Sequence, residues 1–162
     1  MTPDEVVRRL ELEALYADYA FCLDNDRLED WPGFFTEDCT YRVTSAENFE
    51  AGMRLGIIYA TSRNMLVDRV MALRKANIYE PQRYRHLVAN LRIEKTQAAP
   101  TGAIAVTANF LVVRTMQDGA MTLFAAGRYV DRVVRGGDSW KFARKDAVLD
   151  SRQIDTLLAI PI

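Results

Sequence analysis

The spacing of apolar residues changes near residue 84, and that change decides what this chain can become. Before it, apolar side chains recur every three or four positions, the spacing that lines one face of an α-helix. After it, β-branched and aromatic residues crowd into runs at 87–94, 104–116, 121–134 and 140–149, which predicts four strands. Asp118-Gly119 and Gly136-Gly137 separate the last three runs. Glycine takes a positive φ cheaply and aspartate tolerates one, so these pairs predict tight turns and an antiparallel meander. Pro100 and Gly102 predict a looser link between the first two runs. Helices first and a sheet afterwards give an α+β domain in which a curved sheet wraps one face of the helices. Gly127, inside a predicted strand, is expected to mark the bend or bulge that such curvature needs.

The helical half begins with a strong start signal. Thr2 supplies a capping hydroxyl, Pro3 occupies the first helical position, and Glu5 can reach back to the cap. A long first helix follows with two apolar stripes, Leu10, Ala14, Ala17 and Phe21 on one line and Leu12, Tyr16, Tyr19 and Leu23 on another. The expectation is burial over a wide arc. Asp26 with Glu29 predicts the cap of a short second helix carrying Trp31, Phe34 and Phe35, and 39–44 predicts a strand. Leu66, Val70 and Leu73 then predict a helix over 63–76.

One domain spanning 1–162 is the expectation, since a chain of this length buries about 70% of its unfolded surface in a single core. Apolar residues at 49% and charged residues at 27% exclude a disordered or disulfide-stapled chain. Net charge is −1 with the signs intermixed, so no basic footprint for nucleic acid or an anionic membrane is present. No apolar run approaches the roughly 20 residues that span a bilayer, and the first residues lack a signal-peptide pattern. Cys22 and Cys39 have no metal or redox spacing and read as core thiols of a cytoplasmic protein.

Chemistry is limited by scarcity. His86 is the one histidine in the sequence. A facial triad for iron takes two histidines and a Rieske cluster takes two histidines and two cysteines, so neither can be assembled from this chain alone. Zinc spacings, an EF-hand around Asp24-Asn25-Asp26, nucleotide loops and hydrolase elbows are all missing. An acid–base site has two sets of candidates. His86 can serve as a base if a carboxylate such as Asp38 orients it, and Tyr16, Tyr19, Asp38 and Tyr41 can line a pocket between helices and sheet. Packed aromatics and a packed histidine are the plainer account of the same residues.

Arginine outnumbers lysine 17 to 4, and the planar guanidinium suits paired carboxylates at protein contacts. The segment Leu157-Leu158-Ala159-Ile160-Pro161-Ile162 is unusually apolar for a chain end. It either docks on its own sheet or enters a subunit interface.

Several stretches carry a resemblance. Asp30-Trp31-Pro32-Gly33-Phe34-Phe35-Thr36-Glu37-Asp38-Cys39, Met65-Leu66-Val67-Asp68-Arg69 with Ala72-Leu73-Arg74, Arg83-Tyr84-Arg85-His86, Val148-Leu149-Asp150-Ser151 and the final 155–162 resemble the small (β) subunits of Rieske-type aromatic-ring-hydroxylating oxygenases. The likeness is nearest to those acting on aromatic acids such as salicylate or terephthalate. It implies a cystatin-like, nuclear-transport-factor-like roll and a hexamer of three large and three small chains. It also implies that the Rieske [2Fe-2S] cluster and mononuclear Fe(II) belong to the large (α) subunit, with electrons from NAD(P)H arriving through a separate reductase. No catalytic, cofactor or metal residue transfers to this sequence. Arg83, Arg85, His86, Leu157, Leu158, Ile160 and Ile162 are the candidate subunit contacts. The alternatives are a stand-alone isomerase or cyclase on the same roll using Tyr16, Asp38 and His86, and a small-ligand binding module.

Overall fold

In a computed structural model, described for residues 1–76, 79–94, 102–152, 154 and 158–162, Thr2 caps the first helix as expected. Its hydroxyl accepts from the Glu5 amide while the Glu5 carboxylate accepts from the Thr2 amide, so two otherwise orphaned N–H groups are satisfied. The helix, α1, runs Pro3–Asp24. Leu12, Tyr16, Tyr19 and Leu23 are buried, whereas Leu10 and Phe21 are about 60% exposed. The stripe of Leu10, Ala14, Ala17 and Phe21 therefore faces outward, and α1 buries one side only.

After α1 a 3-10 turn spans Trp31–Phe34 in place of the expected second α-helix. Asp26 does not cap it; it takes a positive φ of 57° and pairs with Arg74, which also grips Glu29. Strand β1 covers Phe35–Ser45, longer than predicted at its start. A short helix, α2 (Ala46–Glu50), and strand β2 (Ile58–Ala60) are additions that the apolar pattern did not announce. Helix α3 (Arg63–Lys75) is capped by Ser62 and buries Leu66, Val70 and Leu73, as their spacing requires. Strands β3 (Gln82–Ile93), β4 (Ile104–Met116), β5 (Met121–Gly136) and β6 (Ser139–Leu149) complete the chain. The predicted link containing Pro100 lies outside the described residues.

The sheet is six-stranded in the order β2-β1-β6-β5-β4-β3. The β3–β6 meander is antiparallel throughout, with Gly119 and Gly137 at positive φ in its two tight turns. Only β1 against β6 is parallel, because the two helices and β2 intervene between β1 and the meander. Register shifts interrupt all four of the longer ladders, at 35/40, 89/92, 112/113 and 132/133, and bulges of this kind bend the sheet around the helices. Gly127 is not among them. Its register is continuous on both sides, and it is glycine because a Cβ would sit 2.0 Å from the Val148 carbonyl oxygen. Close approach of β5 to β6, rather than a bulge, holds that position.

Inward-facing side chains from every strand meet α1 and α3 in one core. Tyr19 is its hub, edge-on to Phe34, Phe35, Tyr129 and Phe142 at 5.5–6.4 Å between centroids. Trp31, Phe35 and Tyr41 extend the cluster towards β1. Edge-to-face rings add about 0.5–1.5 kcal/mol per pair beyond the area they bury.

Candidate functional site

The concave face is where a roll of this kind could hold a substrate, and here it is occupied by the protein itself. Side-chain alternation on β5 and β6 places Asp131 and Lys145 directly opposite each other, both pointing inward. Lys145 Nζ lies 3.0 Å from Asp131 Oδ2, and that oxygen also accepts a hydrogen bond from the Tyr16 hydroxyl. Four rings surround the ammonium, with Tyr129 at 3.4 Å and Phe142, Tyr19 and Tyr16 at 4.4, 4.6 and 4.8 Å. Burial pushes the Lys145 amine down to about 8 against the pull of Asp131, and burial likewise raises the Asp131 carboxyl and the Tyr16, Tyr19 and Tyr129 hydroxyls. An amine with so low a pKa has the chemistry of a nucleophile. Enclosed by rings and without exposed side-chain surface, it meets no substrate and instead ties β6 to β5 and α1.

His86 finds a carboxylate, but the partner is Asp24 and not Asp38. Asp24, at the last turn of α1, accepts the His86 backbone N–H with both oxygens at 3.0–3.1 Å. The ring Nδ1 lies 2.6 Å from Asp24 Oδ1. A carboxylate only accepts, so Nδ1 carries the proton in this contact. Nε2 is buried and has no hydrogen-bond partner among the described residues. The expected orienting residue, Asp38, is exposed on β1, and Tyr16 is committed to Asp131. Tyr16, Asp38 and His86 therefore do not form one constellation.

The other predicted contact residues divide by strand face. Arg83 and Arg85 point out from β3, one of the sheet's two edge strands, and line a concavity of about 630 Å³ together with Asp24 and Tyr84. His86 points inward, with its side chain fully buried. Leu158, Ile160 and Ile162 are 3%, 5% and 0% exposed within this chain, their side chains packed into its own core. Of the two placements open to an apolar tail, intramolecular docking is the one observed. The hydroxyls of Tyr19 and Tyr41 both donate to the Ile162 carbonyl, and Arg69 donates to that of Leu158. Leu157 lies outside the described residues.

Sequence reading missed Asp24, Asp131 and Lys145 as the charged members of the interior. A signal for the last two existed: each falls at an inward position of a strand whose neighbours two residues away are Tyr129, Val133 and Ala147. Among the described residues no three His, Cys, Asp or Glu side chains are grouped to hold a metal ion. Both cysteines are buried free thiols, pushed up to about 11 by burial.

The ring hydroxylating beta subunit family matches residues 19–156. The small subunit of anthranilate 1,2-dioxygenase from Burkholderia cepacia is 43% identical over 152 residues, covering 94% of this chain and 92% of that one. A terephthalate 1,2-dioxygenase terminal oxygenase beta subunit from Comamonas sp is 40% identical, covering 97% and 100%. A solved structure described as the beta subunit of an aromatic-ring-hydroxylating dioxygenase, from Novosphingobium aromaticivorans, superposes with a TM-score of 0.86 at 36% identity, covering 98% and 99%. The fold is thus the nuclear-transport-factor-like roll, its interior closed by rings and an ion pair, and the chain belongs to the family of ring-hydroxylating beta subunits.

Proposed function

We propose that this small subunit is a non-catalytic scaffold in an oxygenase that hydroxylates an aromatic acid, working in the cytoplasm with a large subunit that carries the Rieske cluster and mononuclear iron. The observation that carries the reading is the filled interior. Tyr16 is bound to Asp131, His86 to Asp24, and Asp38 stands apart, so the residues an isomerase or cyclase on this roll would use are engaged elsewhere. Iron does not fit here either, since the sole histidine is held by Asp24 and the two cysteines are buried in separate elements. The free cysteines suit a reducing compartment.

An aromatic acid as substrate is supported by the relatives named for anthranilate and terephthalate. Salicylate belongs to the same chemical class, as does either insertion of one oxygen atom or of two. Assembly is supported by surface left without cover in the isolated chain: Arg83, Arg85 and half-exposed Leu87 on edge strand β3, and Leu10 and Phe21 along the outer side of α1. We place subunit contacts there, within a three-plus-three hexamer fed from NAD(P)H by a separate reductase.

The test is co-expression with the large subunit, followed by native mass, iron content and hydroxylation of anthranilate, terephthalate and salicylate. The expected result is iron and activity in the co-complex and neither in this chain alone. An iron-free chain that turns over substrate by itself would overturn the scaffold reading.

A further inference from the structure

Where β1 runs beside β6, α2 and the loop at 51–57 roof a concavity of about 430 Å³ on the face of the sheet opposite the core. Its walls hold Arg42, Arg54 and Arg144 around the single carboxylate of Asp146, with the rings of Phe49 and Tyr59 beside them. Asp146 is fully buried, and both of its oxygens are committed. Oδ1 accepts from Arg42 Nε at 2.8 Å and Oδ2 from Arg144 Nε at 2.7 Å. Arg42 is itself 7% exposed and is fixed by a further bond to the Met53 carbonyl at 2.7 Å and by the Phe49 ring at 5.4 Å. Arg54 is exposed and has no ion pair among the described residues. The acidic residues of α2 do not offset the imbalance, because Glu47 pairs with Arg152 and Glu50 lies 3.9 Å from Arg128.

Three fixed or converging guanidinium groups thus face one carboxylate, leaving a surplus of two positive charges inside a concavity with low-dielectric walls. Such walls concentrate the field on whatever enters. A guanidinium presents parallel N–H donors that match the two oxygens of a carboxylate in plane. The flanking rings offer a flat apolar surface for the body that carries it. We propose that this concavity is a binding site for a carboxylate group, supplied either by a free aromatic carboxylic acid or by an acidic side chain of a neighbouring subunit. The inference rests on the concavity alone and goes beyond the scaffold reading.

The experiment has two arms, each comparing the wild-type chain with Arg54→Gln and Arg54→Gln/Arg144→Gln, whose side chains are exposed enough to be replaced while the buried Arg42–Asp146 pair stays. In the first, titration calorimetry of the full chain with benzoate is expected to show saturable binding, weakened at least 5-fold by Arg54→Gln and further by the double variant, with neutral benzamide at least 10-fold weaker. In the second, the affinity of the chain for its large subunit is measured. Loss of association by 10-fold or more in the double variant, with benzoate not bound, assigns the carboxylate to the partner. Benzoate and benzamide binding alike, or no benzoate binding together with unchanged association, overturns the proposal. A wild-type chain that fails to associate with any large subunit defeats the scaffold reading, and the benzoate arm then decides the site by itself.

Discussion

Lys145 and Asp131 oppose each other across β6 and β5 with 3.0 Å between Nζ and Oδ2, and neither side chain has any exposed surface. Two desolvated charges repay their burial only while both are present. Asp131→Ala should therefore cost about 3–5 kcal/mol, since it leaves the ammonium buried without its counter-charge, whereas the double change Lys145→Met/Asp131→Leu should fall within about 1 kcal/mol of wild type or exceed it. Urea unfolding of the two variants beside wild type measures both numbers. Equal losses in the single and double variants would show that the pair is not coupled.

The same pair fixes a pH dependence. Folding lowers the Lys145 pKa to about 8, so between that value and roughly 10.4, the value for a free lysine, the unfolded chain binds the proton and the folded chain does not. Stability then rises with pH across this window through Lys145. The difference in unfolding free energy between wild type and Lys145→Met/Asp131→Leu should grow in favour of wild type from pH 8 to 10. A flat difference would refute it.

Asp24 accepts both the backbone N–H and the ring Nδ1 of His86, pinning the end of α1 to the edge strand. Asp24→Ala strands two buried donors at about 1–3 kcal/mol each. Asp24→Asn keeps a carbonyl for the backbone N–H and should lose about half as much. Hydrogen exchange at the His86 amide reads this directly: protection falls most in the alanine variant.

Removal of residues 158–162 should abolish folding at 37 °C. Leu158, Ile160 and Ile162 are buried, each at roughly 1.5–3 kcal/mol, and together they approach the net stability of a domain of about 5–15 kcal/mol. The deletion also strips Tyr19 and Tyr41 of their acceptor. Circular dichroism of the shortened chain, expressed with and without the large subunit, checks the outcome; a folded shortened chain would return the tail to the surface.

Gly127→Ala should destabilise by about 1–3 kcal/mol, the range for an overpacked interior, because the new methyl meets the backbone of β6 and not a side chain that can rotate away. Thermal melts of this variant beside an exposed control, Gly33→Ala, separate close approach from a general cost of the substitution.

The meander, both of its tight turns, α3 and the capping of α1 were legible because each depends on local rules: spacing, turn residues and caps. What was not legible depends on partners distant in sequence. The stripe of Leu10, Ala14, Ala17 and Phe21 looks as buried as the one that is, since periodicity reveals amphipathic lines without saying which line meets the sheet. His86 pairs with Asp24 and not with Asp38, and the true pair lies 62 positions apart in the sequence. Strand β2 spans three residues, too few for alternation to register. The lysine caged by rings was overlooked because composition treats a lysine as solvent-facing, although its place among inward strand positions marked it.

The residues that seal the base of the roll, 158–162, follow every element they seal. Until they are synthesised, Tyr19 and Tyr41 cannot reach their acceptor, and the aromatic cluster stays open at one side. Residues 158–162 leave the ribosome after every element they seal, so the aromatic cup closes only once they have emerged.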